Sequence, residues 1–177
     1  MYHNLKILLC VMLPEGVVSL FVVGDVMEDA LFKCAVQYAE HGLHVWFVSP
    51  QPFNKLPQSA TRLSQDILRL ITFLYLKEES DLLTHLNRVH LWHKYPQVII
   101  INSFETYCKD NALMNAFIVS SAFDAVSSCA RRHSLKKAHL VIASRETYHN
   151  LTDMYFPRVF AFTNDDEFIG LVKNDVT

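Results

Sequence analysis

Glycine is scarce in this chain, four residues in 177, and charged residues make up only 19% against 51% hydrophobic. That balance excludes a disordered chain and points to one compact domain with apolar surface left over for a partner. Positive charge is not in excess. Sixteen Lys and Arg against eighteen Asp and Glu leave a formal charge of −2, so any nucleic-acid site must be a local patch and not a global field. The four cysteines, Cys10, Cys34, Cys108 and Cys129, are widely separated and form no Cys-x2-Cys pair. They read as reduced thiols of an intracellular protein, which excludes a disulfide scaffold. His90 and His93 sit one turn apart on an expected helix, but no cysteine or carboxylate spacing completes a site, so no metal is expected. The apolar run at residues 5–13 stops at Pro14-Glu15-Gly16, far short of the roughly 20 residues that a membrane span needs. No cleavage site follows it, and residues 1–15 are expected to form an added strand or a partner-binding segment. Internal repeats and low-complexity stretches are absent, as is a Gly-x-Ser-x-Gly elbow. Ser144-Arg145-Glu146 has no base–nucleophile spacing, Glu78-Glu79 read as first-turn helix residues, and Asp165-Asp166 read as turn residues before a last strand.

What is present begins with a β-branched run, residues 17–23, that ends at Gly24 and passes into a helix-period pattern. Met27, Ala30, Leu31, Cys34, Ala35, Tyr38 and Ala39 repeat at three- and four-residue spacing, and Gly42 stands where a helix closes. A strand, turn and helix in this order is the setting of a phosphate-binding loop, Gly-x4-Gly-Lys-Ser/Thr. Here only Gly24 matches: Asp29 stands at the second glycine, Ala30 at the lysine and Leu31 at the hydroxyl. Asp25 is the expected N-cap, with Glu28 three residues on completing a capping box, so carboxylates would occupy the positive helix end. A like charge about 4 Å from a phosphate costs roughly 4 kcal/mol at an effective dielectric near 20, or about a thousandfold in affinity. Little or no ATP binding is expected.

Strands are expected at residues 43–48, 70–75, 97–101 and 139–143, with a proline-bearing loop, residues 49–57, after the first. Between them, Leu82, Leu83, Leu86, Val89 and His93 define one helix face, and Leu113, Met114, Phe117, Ile118, Ser121, Ala125 and Cys129 define the stripe of the longest helix. Residues 159–162 and 168–172 are expected to make a terminal antiparallel strand pair, with Phe160 and Phe162 facing the core. Alternating strands and helices, with continuous β-branched runs, mean a mainly parallel sheet covered on both faces. The predicted architecture is α/β: a RecA-like, P-loop NTPase-type core over residues 16–177. In that layout the strand at residues 98–101 would end in a magnesium-holding aspartate, and Asn102 stands there instead. A neutral amide cannot supply the carboxylate's charge to a hard cation.

The order of elements resembles the RecA-type recombinase paralogues. Several stretches are similar to the SWIM-domain-associated ATPase-like subunit of Shu-type complexes: Val45-Trp46-Phe47-Val48-Ser49-Pro50-Gln51-Pro52-Phe53-Asn54-Lys55-Leu56-Pro57, Leu68-Arg69-Leu70-Ile71-Thr72-Phe73, Ile99-Ile100-Ile101-Asn102-Ser103-Phe104-Glu105-Thr106-Tyr107 and Leu151-Thr152-Asp153-Met154-Tyr155-Phe156-Pro157. The likeness spans roughly residues 16–165. It implies a nuclear hetero-oligomer, without a membrane role, that pairs with a SWIM-domain zinc protein, contacts a RecA-type recombinase and DNA, and supports homologous recombination in repair and meiosis. Members with an intact phosphate loop are ATPases. The departures at Asp29, Ala30, Leu31 and Asn102 imply a pseudo-ATPase without a nucleotide cofactor. Two alternatives share the architecture: an ATPase-dead scaffold like those of the Elongator complex, and a small ATPase with an atypical loop.

Arg131, Arg132, Lys136 and Lys137 form the one dense basic run, at the expected end of the long helix. They either complement the helix dipole or bind phosphates without sequence preference. The RecA-type layout would also bring DNA to the loops at residues 104–110 and 144–155, which carry Lys109 and Arg145. Both loops are short, so DNA binding is expected to be weak and non-specific. Tyr155, Phe156, Phe160 and Phe162 could stack bases or bury a partner.

Overall fold

The computed structural model describes residues 14–25, 27–53, 57, 63–132 and 137–176. The apolar run at residues 5–13, Cys10 and Lys136 therefore lie outside the described residues. Six strands form one sheet in the order β3-β2-β4-β5-β1-β6, all parallel: β1 (Val17–Val23), β2 (Val45–Ser49), β3 (Ile71–Tyr75), β4 (Val98–Ile101), β5 (Ala138–Ser144) and β6 (Val159–Ala161). The helices are α1 (Glu28–Glu40), α2 (Gln65–Leu68), α3 (Glu79–Asn87), α4 (Ala112–Arg132), α5 (His149–Tyr155) and α6 (Asp165–Val176). This is an α/β fold consistent with a RecA-like core.

The side chains explain why the central strands read as continuous apolar runs. Successive residues point to opposite faces, and here both faces are covered. Phe21, Trp46, Val48, Ile99, Ile101, Leu140 and Ile142 pack with α3, α4 and α5 on one side. Leu20, Val22, Val45, Phe47, Val98, Ile100, Val141 and Ala143 pack with α1, α2 and α6 on the other. The division follows from the direction of travel. Connections from β1 to β2 and on to β3 run toward the β3 edge, whereas those from β3 through β4 and β5 to β6 run back toward the β6 edge. Right-handed crossovers send the two sets to opposite faces.

Gly42 closes α1 as expected. Its φ is +79°, its N–H donates to the Ala39 carbonyl at 2.9 Å, and the Leu43 N–H donates to Tyr38 O at 3.2 Å, the hydrogen-bonded left-handed stop that favours glycine. Helix α4 is long and apolar enough to cross a membrane by composition, yet 56% of its most apolar stretch is buried inside the fold.

Several expectations fail, each for an identifiable reason. Residues 168–172 are helical, inside α6, and β6 pairs parallel with β1 instead of antiparallel with a seventh strand. Asp165 and Asp166 thus begin a helix, with Glu167 in the same first turn, where carboxylates are favoured. Asn164 caps it, its Oδ1 accepting from the Glu167 N–H at 2.9 Å, and Phe168 and Val172, four apart, face the core. A short apolar run between polar residues does not by itself separate strand from helix. At α1 the capping box does not form: Met27 occupies the cap position without a side-chain hydrogen bond. His90 lies in a separate 3-10 turn, Val89–Leu91, and exposed His93 lies beyond it, so the two do not share a helix face. The predicted stripe of α4 splits. Ile118, Ser121, Ala125 and Cys129 are buried, while Leu113 and Phe117 are 79% and 52% exposed, so the stripe meets the core only from Ile118 onward.

The His139 ring on β5 packs tilted against Tyr38 of α1, ring centroids 4.8 Å apart, and its Nδ1 has no hydrogen-bond partner among the described residues. Burial pushes its pKa down to about 4. Asp175 pulls the other way, and Lys137 and Arg158 add to the fall. The folded state therefore resists the proton that the unfolded chain takes up below the ordinary value of 6.5, and stability is lost as pH falls from there toward about 4. Urea unfolding at pH 7 and pH 5 should differ by on the order of 2 kcal/mol from this residue, and His139→Phe should flatten that part of the profile.

Candidate functional site

At the carboxyl ends of the strands, β2 and β4 are neighbours whose chains leave in opposite directions, and so are β5 and β1. In open parallel sheets a crevice forms at such a reversal, and ligands bind there. The crevice holds about 420 Å³ and is lined by residues at or just past the carboxyl ends of these four strands: Gly24 and Glu28 after β1, Ser49 ending β2 and Pro50 after it, Asn102, Ser103 and Glu105 after β4, and Ser144 ending β5 and Arg145 after it.

Its walls are held in place by aromatic packing. Phe53 pins the proline loop by seating its ring among Phe32, Phe47 and Phe73 at 5.8, 5.3 and 5.7 Å. After β4 the chain turns sharply at Ser103, with φ 53° and ψ 49°, the one non-glycine residue with positive φ among those described. Such a conformation costs about 1–3 kcal/mol and needs surrounding contacts to hold it. Buried Phe104 supplies them, edge-on to Phe21 at 6.3 Å and to Tyr148 at 5.9 Å. The turn presents Glu105 to the crevice.

Glu105 is engaged. Its Oε2 accepts from the Ser144 hydroxyl at 3.0 Å and from the Arg145 N–H at 3.2 Å, and its Oε1 lies 3.6 Å from Arg145 Nε. Ser144 in turn accepts from the Glu146 N–H at 3.1 Å. Asn102 is buried; its N–H donates to Val48 O at 2.9 Å, and its side-chain amide donates to Ser49 Oγ at 3.4 Å. Glu28 has its pKa raised by partial burial and then by the adjacent Asp29 charge. The crevice thus offers oxygen acceptors and two carboxylates, with one guanidinium already paired. The base beside Ser144 is the Glu105 carboxylate, which also accepts from the Arg145 N–H and pairs with its guanidinium, and no cluster of three metal-ligating side chains occurs among the described residues.

The residues singled out from the phosphate-loop comparison are placed as follows. Helix α1 already begins at Glu28, inside the stretch that the motif leaves as open loop. Asp29 is exposed in its first turn, and Ala30 and Leu31 are buried against the sheet. The Gly24 N–H donates to Ser144 O at 3.1 Å, continuing the ladder between β1 and β5. A Cβ at Gly24 would come within 2.8 Å of Phe162 Cβ, so the glycine serves close packing of the segment after β6.

The expected DNA contacts divide between the two ends of the molecule. Lys109 and Arg145 are at the carboxyl end, where Lys109 pairs with Glu79 at 3.1 Å and Arg145 with Glu105. Arg131, Arg132 and Lys137 are at the other end of α4, which at about 1.5 Å per residue is roughly 30 Å long, so the two groups do not make one site. Phe156 and the Phe160 and Phe162 rings pack inward, against Phe21, Phe123 and Phe168. Glu105, Ser103, Ser49 and Ser144 had no part in the sequence reading as site residues. Their common signal is position, within a few residues of a buried strand's carboxyl end. No protein-family model matches the chain, and no curated protein matches it either.

Gly24→Ala should destabilise the protein by about 1–3 kcal/mol, the usual range for overpacking, because Phe162 Cβ is rigidly tied to the backbone. Urea unfolding of the variant reads this directly.

Proposed function

We propose that the chain is a non-catalytic subunit of RecA-like architecture. It works in the nucleus by holding a SWIM-domain zinc protein and a RecA-type recombinase on DNA, in support of homologous recombination and repair. The observation that carries the non-catalytic reading is the occupancy of the crevice by the protein's own groups. The Gly24 amide is bonded to Ser144 O, Glu28 and Glu105 line the space a triphosphate would enter, and Asn102 directly follows β4 where a carboxylate would stand. Two carboxylates in a partly enclosed pocket repel a polyanion, and a neutral amide holds magnesium poorly.

The recombination role rests on the sequence resemblance together with the α/β architecture. The scaffold role suits a chain that leaves Leu113, Met114 and Phe117 exposed at the start of α4, apolar surface of the kind partners bury.

Two measurements test the reading. Calorimetry with a non-hydrolysable ATP analogue and magnesium should give no binding heat at millimolar nucleotide, and micromolar binding would favour the small-ATPase alternative. Affinity purification from the native cell should recover a SWIM-type zinc protein and a recombinase. Recovery of transfer-RNA-modifying subunits in their place would favour the Elongator-like alternative.

A further inference from the structure

Although the chain is acidic overall, residues 82–104 and 125–145 contain no Asp or Glu. The fold brings these two acid-free stretches together at the amino-terminal end of the sheet, opposite the crevice. The joint is Arg132. Its guanidinium lies over the Tyr95 ring, 4.6 Å from the centroid, and donates to His90 O at 3.2 Å and to the Tyr95 hydroxyl. Around this seam Arg88, His90, His93 and Lys94 are exposed on the segment between α3 and β4, Arg131 is exposed in the last turn of α4, and Lys137 is exposed just before β5. Among the described residues, Arg88, Lys94, Arg131 and Lys137 form no ion pair.

The same segment carries a second pocket of about 420 Å³, lined by Thr84, His85, Arg88, Leu91, Trp92 and His93. Trp92 is half-buried and held edge-on against buried Trp46, ring centroids 5.0 Å apart. Leu91 beside it is 70% exposed. Unpaired cations suit a phosphate backbone, and a fixed, partly exposed indole suits the face of a base. An acidic peptide would use the cations and leave the indole without a stacking partner. A duplex keeps its base faces stacked on one another.

We propose that this face is a binding site for single-stranded nucleic acid, with the backbone on Arg88, Lys94, Arg131 and Lys137 and one base against Trp92. Arg132 is a positioning residue that ties the two stretches into one surface. The site deepens the DNA contact of the proposed function and rests on that part of it, while moving the contact away from the loops after β4 and β5.

The test uses the full chain and a labelled oligothymidylate of roughly 20 nucleotides, longer than a typical single-domain footprint. Binding should raise the anisotropy of the label and quench tryptophan fluorescence, since Trp46 is buried and Trp92 is the other of two tryptophans. Trp92→Phe should abolish the quenching. Arg88→Ala with Lys94→Ala should weaken binding about tenfold and lower the salt slope by about 1.4, two single-strand phosphate contacts at roughly 0.7 each. Both substituted positions are exposed, so folding should be unaffected. If wild type binds but the double variant binds equally well and no quenching occurs, the site is wrong and the DNA contact lies elsewhere. If wild type does not bind the oligonucleotide even at low salt, the site and the DNA contact of the proposed function both fail. Equal quenching by heparin, which has no bases, would overturn the stacking.

Discussion

Burial of both faces of the parallel sheet is the constraint from which the rest of this structure follows. Strands β1, β2, β4 and β5 are apolar at nearly every position because each neighbouring residue faces a different helical layer. Once both faces must be covered, right-handed connections decide which helix lies on which side. The reversal of direction between β2 and β4 then leaves an opening at the carboxyl ends. The crevice is therefore a consequence of topology before any of its side chains is considered.

Several of the side chains that line the opening are satisfied by one another. Glu105 accepts from Ser144 and Arg145, Asn102 is bonded to the neighbouring strand, and the Gly24 amide belongs to the sheet ladder. A bound polyanion would have to displace these contacts and face two carboxylates. The amino-terminal end of the sheet has the opposite character, with exposed cations and a tryptophan braced from behind. The acid-free stretches at residues 82–104 and 125–145 give this local basic character to a chain whose net charge is −2.

Much of the fold was legible in the sequence. Apolar runs marked the positions of all six strands, the continuous runs at β4 and β5 marked those two as buried, and Gly42 marked the end of α1 because a left-handed residue is needed there. The terminal region was not legible. Phe168-Ile169-Gly170-Leu171-Val172 reads equally well in either period, and what decides it is the Asn164 cap and the docking of Phe168 and Val172 beside α1. Gly24 was legible as important, but for a different reason. A phosphate loop and a close approach by Phe162 both call for a missing Cβ.

The site was harder to read than the fold for the same physical reason. Burial periodicity is a local property, carried by residues two, three or four apart, so composition and spacing determined the α/β class, the parallel sheet and the absence of a complete phosphate loop. Which polar residues meet is decided by strand order. Glu105 and Ser144 are 39 residues apart, and Arg132 and His90 are 42 apart. Only the tertiary structure made those pairs, because strand register and crossover direction set their distance, and neither leaves a periodic mark on the chain.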